Sequence, residues 1–150
     1  EKKFFEAQKK GYFLQSYISS KSDINKSVNF GENCFILENQ TIQNDVKIGQ
    51  NVVIWSSNHI GHGTSINDHT YLSSHVVISG HCKIGKRCFF GVNSSIGDFI
   101  DIEDDCFIGM SSSVSKKLNK GSVAINKSTE IYDENHRISK MLKKKYFFNK

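Results

Sequence analysis

Two residues eighteen apart, His62 and Gly80, form the pair in this sequence that is best suited to group-transfer chemistry. A histidine in an exposed turn can take up and release a proton near neutral pH. A glycine has no side chain, so a ligand can approach its backbone N–H closely. Because acyl transfer to an amine or a hydroxyl needs a general base beside an amide donor, such a pair could catalyse it. The alternative is an exposed histidine without a chemical role, and the fold decides whether the two residues meet.

A six-residue repeat predicts that they do meet. Every sixth residue from Ile18 to Val114 is Ile, Leu, Val or Phe, at seventeen positions in all. Six is the period of neither a helix nor an alternating strand, and it indicates a short strand followed by a turn. We therefore predict a parallel β-helix of nearly six coils, with one hexad per face and 18 residues per coil. Residues eighteen apart then stack directly, so His62 lies one coil from Gly80.

The other hexad positions agree with this interpretation. The residue after the large apolar one is Gly at seven positions, where we expect turns that need a positive φ. The fourth residue after it is mostly small, which suits a narrow interior filled by one large and one small side chain per hexad. The four cysteines all fall at that small position: Cys34, Cys82, Cys88 and Cys106. We expect buried hydrophobes in a reducing compartment, since the paired cysteine spacing of a zinc site is missing.

The chain divides into three predicted regions. Residues 1–17 are a short helix and a lead-in strand, residues 18–119 are the β-helix, and residues 120–150 are a basic extension. Asp133 is expected to be the N-cap of a second helix over roughly 134–147. The predicted fold class is therefore all-β, with a helix near each end.

Charge and hydropathy exclude several classes of protein. The net charge of +5 comes entirely from residues 120–150, which hold eight Lys/Arg and three acidic residues. A neutral body with a basic tail is not typical of a nucleic-acid binder. No apolar run reaches the length of about 18 residues that a membrane-spanning helix needs. The N-terminus lacks the apolar stretch of a signal peptide, and we expect a cytoplasmic protein.

Two stretches within the repeat resemble the hexapeptide-repeat acyltransferases: NHIGH at residues 58–62 and SHVVISG at residues 74–80. The most similar branch is that of the bacterial nucleotide-sugar N-acetyltransferases and sialic acid O-acetyltransferases of surface-polysaccharide (lipopolysaccharide) pathways. The resemblance covers about residues 10–127. It implies a left-handed β-helix and a homotrimer, with acetyl-CoA lying in the groove between neighbouring prisms.

The resemblance also implies roles for individual residues. His62 matches the catalytic base, and Gly80 matches the glycine whose N–H contacts the thioester carbonyl. Four further positions are assigned to the coenzyme in the same way: Val92 and Met110 on the pantetheine and adenine path, and Lys116 and Lys117 on the coenzyme's phosphates. Asn58 and His59, which lie close to His62 in the sequence, are expected on the substrate side. Exposed lysines usually do nothing specific, and His59 could equally be an ordinary turn residue.

Three departures from the family pattern matter. Members often carry Glu directly after the base, where it orients the imidazole, whereas this chain has Gly63. The candidates for orienting His62 are then Asn58, Asp68 or a residue of a neighbouring subunit. The Val-Gly-x-Pro-Ala segment that commonly ends the coils has no Pro here, at residues 123–127, so the adenine end could differ. Many members also carry an N-terminal nucleotide-sugar-binding domain. Residues 1–17 are expected to be a remnant of such a domain, which is absent, cleaved or truncated.

The leading hypothesis is an acetyl-CoA-dependent transferase that acetylates the amine of a nucleotide-linked amino sugar. O-acetylation of a sugar hydroxyl would use the same base, and a non-catalytic β-helix module is the remaining alternative. No metal is expected. His69, His75 and His81 occupy the same hexad position on three successive faces, so they cannot converge within one chain.

Overall fold

The chain forms a parallel β-solenoid flanked by two helices. A computed structural model describes residues 1–127 and 129–147. Within those residues the helices are α1 Lys2–Lys9 and α2 Arg137–Phe147. The strands are β1 Tyr17–Ile18, β2 Asp23–Ile24, β3 Asn29–Phe30, β4 Phe35–Ile36, β5 Thr41–Ile42, β6 Lys47–Ile48, β7 Val53–Ile54, β8 His59–Ile60, β9 Ser65–Ile66, β10 Tyr71–Leu72, β11 Val77–Ile78, β12 Lys83–Ile84, β13 Phe89–Phe90, β14 Ser95–Ile96, β15 Asp101–Ile102, β16 Phe107–Ile108, β17 Ser113–Val114 and β18 Val123–Ala124.

Three parallel sheets make the three faces of the solenoid. Sheet A runs β1-β4-β7-β10-β13-β16-β18, sheet B runs β2-β5-β8-β11-β14-β17, and sheet C runs β3-β6-β9-β12-β15. The register pairs residues eighteen apart, as in Val77 with Ser95 and Lys83 with Asp101. The predicted parallel β-helix of about six turns is therefore confirmed. We call the turns between the sheets corner A–B, corner B–C and corner C–A.

The core is built from the large hexad residues, as the repeat predicts. These positions are buried from Ile36 to Val114, whereas Ile18, in the first coil, is 39% exposed. The four cysteines are free and buried in the small inward column, as expected. Burial raises the pKa of the Cys88 thiol to about 11, so this thiol remains protonated near neutral pH.

Close packing between coils explains five of the seven glycines after the large hexad residues, since an added Cβ there would come within 3.0 Å of the next coil, and this corrects the expectation of a positive φ. The positive φ values fall two positions further on, at residues such as Asn33, His69 and His81. A Cβ at Gly61 would instead lie 2.5 Å from the backbone nitrogen of Gly80 in the next coil. Glycine is needed there because any side chain would meet the backbone of the next coil.

The ends of the chain differ in detail from the prediction. Helix α1 packs Phe4 edge-on against His69 at corner C–A, and burial lowers the pKa of that histidine. The solenoid continues beyond residue 119, since β18 pairs with β16 in sheet A. Helix α2 begins at Arg137, a few residues later than predicted, and the Asp133 carboxylate accepts N–H bonds from Asn135 and His136 in the turn before it. Within the described part of the chain, no helix is long and apolar enough to cross a membrane.

Candidate active site

His62 lies at corner B–C, directly after β8, and its exposed imidazole covers Gly80 of the next coil. A Cβ built on Gly80 would be 2.8 Å from Cε1 and 3.1 Å from Nε2 of the ring. The two residues are therefore neighbours, as the stacking of residues eighteen apart predicts. The ring can occupy this position because glycine leaves the space beneath it empty.

An amide oxygen from the preceding coil holds the imidazole. Oε1 of Gln43 accepts a hydrogen bond from the backbone N–H of His62 at 2.9 Å and lies 3.1 Å from Nδ1 of the same residue. Gln43 is not among the site residues predicted from the sequence, because it is nineteen residues before His62 and so lies outside its vertical column. Neither Asn58 nor Asp68, the two residues suggested for this task, contacts the ring in the part of the chain that the structure describes.

One aromatic ring contacts His62, and a second ring stacks on the first. The His81 ring meets the His62 ring edge-on with centroids 4.6 Å apart, and Phe99 stacks on His81 at 5.1 Å. Gly63 lies beneath His81, where an added Cβ would be 2.6 Å from Nδ1, and its φ of +65° also disfavours a side chain. The local packing and the backbone conformation therefore both favour glycine at position 63.

The backbone N–H of Gly80 already has an acceptor. It donates to Oδ1 of Asp98, one coil further on, at 3.0 Å. The same arrangement recurs away from this corner, where Asp68 accepts from the N–H of Gln50 and Asp104 from that of Lys86. The Gly80 N–H is thus satisfied by a structural motif of the solenoid, and a ligand must displace the Asp98 carboxylate to reach it.

A polar pocket opens beside His62 on sheet B. It has a volume of about 330 Å³ and includes Asp23, Asn25, Gln43 and Asn44 in its lining. A second groove of about 680 Å³ lies on the sheet C side of the same corner, between Lys47, Lys83 and the His81–Phe99 pair. Both spaces offer hydrogen-bonding groups to a hydrophilic substrate close to the candidate base.

The residues assigned to the coenzyme lie at two different corners. Val92 and Met110 line an apolar groove of about 550 Å³ at corner A–B, together with Phe89 and Phe107. Lys116 is in the same corner B–C column as His62. Lys117 is ion-paired with Glu103 at 2.7 Å, which raises its pKa. A single chain therefore keeps the apolar groove and the base on separate edges of the solenoid.

Asn58 does not suit the substrate-binding role assigned to it. It is 2% exposed, its Oδ1 accepts the Val76 N–H at 2.6 Å, and its Nδ2 donates to the Trp55 carbonyl. We correct this assignment, because a side chain whose hydrogen bonds are used between coils is structural. His59 lies half-buried on the outer face of sheet B, and the described structure shows no contact between its ring and His62, which favours an ordinary surface residue over the substrate role suggested for it.

Comparison with protein families identifies the repeat. A family model for the GMPPB C-terminal domain matches residues 18–138. The chain belongs to the GMPPB C-terminal domain family. No curated protein matches this member of the GMPPB C-terminal domain family.

Several solved structures share the fold. One is the perosamine N-acetyltransferase PerB from Caulobacter crescentus with CoA and GDP-perosamine, at 22% identity over 85% of this chain and 64% of that chain, with a TM-score of 0.81. Another is the PglB acetyltransferase domain from Neisseria gonorrhoeae with acetyl coenzyme A, at 14% identity over 80% of this chain and 58% of that chain, with a TM-score of 0.78. A third is a point mutant of the N-acyltransferase AntD from Bacillus cereus with dTDP and coenzyme A, at 16% identity over 97% of this chain and 96% of that chain, with a TM-score of 0.70. The chain spans less than two thirds of the length of the first two. The resemblance to nucleotide-sugar acyltransferases of the hexapeptide-repeat type is confirmed at the level of the fold. Within the described residues of this GMPPB C-terminal domain family member, no group of His, Cys, Asp and Glu is arranged to hold a metal ion.

Proposed function

We propose that the chain transfers an acetyl group from acetyl-CoA to the amine of a nucleotide-linked amino sugar. The observation that carries this proposal is the His62 imidazole, held by Gln43 over the bare backbone of Gly80 and open to a polar pocket. Similar folds that hold CoA together with GDP-perosamine or dTDP support the choice of substrates. We further propose that the reaction takes place in the cytoplasm and serves lipopolysaccharide or other surface-polysaccharide synthesis.

The proposed mechanism uses His62 as a general base. The substrate amine attacks the thioester carbonyl carbon while Nε2 of His62 takes its proton, so that a C–N bond forms without a charged ammonium. The tetrahedral intermediate then expels the coenzyme thiolate, which recovers a proton from the imidazolium. Gly80 would stabilise the oxyanion through its N–H once Asp98 has turned away from it.

The reaction needs more than one copy of the chain, and we propose a homotrimer. Val92 and Met110 lie at corner A–B while His62 lies at corner B–C, so a cyclic assembly that joins these two corners would complete the site. Such an assembly uses two different surfaces of each copy. The outward positions of sheet A are apolar along its whole length: Tyr17, Phe35, Val53, Tyr71, Phe89, Phe107 and Val123. Sheets B and C carry mainly polar residues at the same positions, which favours sheet A as part of the contact.

Tyr71→Asp should therefore break the assembly. Tyr71 stacks on Phe89 at 5.4 Å in the middle of the apolar stripe, and a carboxylate there would be desolvated without a partner. Light scattering after size exclusion should give three times the 17.0 kDa chain mass for the unmodified protein and a monomer for the variant. Ser95→Asp, at an outward strand position on sheet B, is the matched control and should remain trimeric. A trimeric Tyr71→Asp protein would rule out sheet A as the contact.

The substrate assignment is tested by binding and by turnover. Coenzyme A at about 100 times its Kd should stabilise the folded protein by about 2.7 kcal/mol, seen as a rise in Tm. Thiol release from acetyl-CoA should then require a nucleotide-linked amino sugar and should fail with the matching sugar that has a hydroxyl in place of the amine. Turnover of the hydroxyl compound alone would indicate an O-acetyltransferase. If coenzyme A does not stabilise the protein and no turnover is seen, the remaining alternative is a non-catalytic β-helix module.

A further inference from the structure

We propose that Gln43 is a positioning residue that fixes which nitrogen of His62 carries the proton and so leaves Nε2 free to act as the base. This inference rests on the proposed function of His62. It assigns to a neutral amide on the preceding coil the task that a glutamate directly after the base performs in many acyltransferases.

The hydrogen bonds of Gln43 determine the tautomer. The backbone N–H of His62 can only donate, so the Gln43 atom 2.9 Å away must be the amide oxygen rather than the amide nitrogen. That same oxygen lies 3.1 Å from Nδ1. An amide oxygen can only accept, so Nδ1 must carry a hydrogen. A neutral imidazole has one N–H, and Nε2 is therefore the unprotonated nitrogen.

The backbone of Gln43 is fixed by the solenoid. Gln43 directly follows β5, and its backbone N–H donates to the Ile60 carbonyl of the next coil at 3.0 Å. Its side chain is half-buried at the floor of the polar pocket. An orienting group on a rigid coil holds a catalytic ring more closely than one on a free loop.

A neutral amide changes the behaviour of the base in a way that can be measured. A carboxylate beside Nδ1–H would stabilise the protonated imidazolium, whereas an amide oxygen does so only weakly. The titratable groups around this ring are His81, in edge-on contact, Asp98, bonded to the Gly80 N–H, and Asp23, across the pocket. Replacing Gln43 with glutamate leaves those three groups in place, so a change in pH dependence can be attributed to position 43.

The test uses two substitutions and one matched control in the full chain. Gln43→Leu removes the acceptor, Gln43→Glu keeps it and adds a charge, and Gln50→Leu makes the same change as the first at another corner. Ring ¹⁵N shifts of His62 at a pH where it is neutral should report Nδ1–H in the unmodified protein, in Gln43→Glu and in Gln50→Leu. They should report loss of that preference in Gln43→Leu. This measurement does not depend on activity.

Kinetics then test the consequence for catalysis. Gln43→Leu should lower kcat by about 10–100-fold, as is typical when a partner that orients a metal-bound histidine is removed. Gln43→Glu should restore most of kcat and move the acid limb of the pH–rate profile up by about one pH unit. The ¹⁵N titration of His62 itself separates this shift from that of His81.

Each outcome decides between the two proposals. An Nε2–H tautomer in the unmodified protein, or an unchanged tautomer in Gln43→Leu, would overturn the role of Gln43 even if the enzyme were active. The expected tautomers in a protein without acetyl transfer would keep Gln43 as the residue that orients His62 and would reject the proposed reaction. Equal kcat values for Gln43→Leu and Gln50→Leu would show that the tautomer has no effect on catalysis.

Discussion

His62→Ala should lower kcat for acetyl transfer by about 10²–10⁴-fold, the usual contribution of a general base. The imidazole is the candidate base, because its Nδ1 faces Gln43 and its Nε2 lies over Gly80. Its side chain is exposed and the backbone bonds of its coil do not depend on it, so the variant should fold normally. Steady-state kinetics with acetyl-CoA and a nucleotide-linked amino sugar would measure the loss.

His59→Ala is the matched control for that substitution. His59 is the outward residue of β8, three residues earlier, and has no ring contact with His62 in the described structure. Its kcat should stay within a few-fold of the unmodified value. A His62→Ala protein with normal kcat and normal Tm would remove His62 from the mechanism, and an equal loss in both variants would point to a general disturbance of sheet B.

The fold could be predicted from the sequence because the repeat is local and strict. A large apolar side chain at every sixth position must point into the core at every sixth position. Three hexads complete one coil, which gives the observed register of eighteen residues. The reason for the glycines was not visible in the same way. Five of the seven lie too close to the next coil for a side chain, and a sequence pattern does not distinguish that steric need from a positive φ.

The site was only partly predictable, for a similar physical reason. Stacking of residues eighteen apart brings His62 to Gly80, since both occupy the same hexad position. Gln43 reaches His62 diagonally from a neighbouring position, and the direction of a side-chain hydrogen bond has no period in the sequence. Asn58 was assigned to substrate although it falls in the small inward column. That position already indicated burial, and the structure shows its amide bonded between coils.

Corner B–C, which holds the candidate base, combines two kinds of constraint that can be separated by experiment. Gly61 and Gly80 both lie under close neighbours, but the neighbours differ. A Cβ at Gly61 would be 2.5 Å from backbone atoms of the next coil, which cannot move without disturbing the stack. A Cβ at Gly80 would meet the His62 side chain, which can rotate away. Gly61 is therefore needed for the stacking of the coils, and Gly80 for the position of the candidate base.

Gly80→Ala should accordingly lower kcat by about 10²-fold while leaving the fold intact. The new methyl group would lie 2.8 Å from Cε1 of His62, so the ring must move, and a displacement of about 1 Å is enough for a loss of this size. The backbone of Gly80 has no positive φ, so alanine adds no strain of its own. Kinetics and a thermal melt of the same sample would show a low kcat with a nearly unchanged Tm.

Gly61→Ala should instead destabilise the fold, and it serves as the comparison for Tm. Overpacking against backbone should cost about 1–3 kcal/mol of unfolding free energy, a fall in Tm of several degrees. Because the added methyl group would also press on the backbone nitrogen of Gly80, the folded fraction of this variant should lose kcat as well. If Gly80→Ala kept a normal kcat, the imidazole would not need its place over Gly80, and the oxyanion role of the Gly80 N–H would lose its support. If Gly80→Ala instead melted as early as Gly61→Ala, the two glycines would share one structural task.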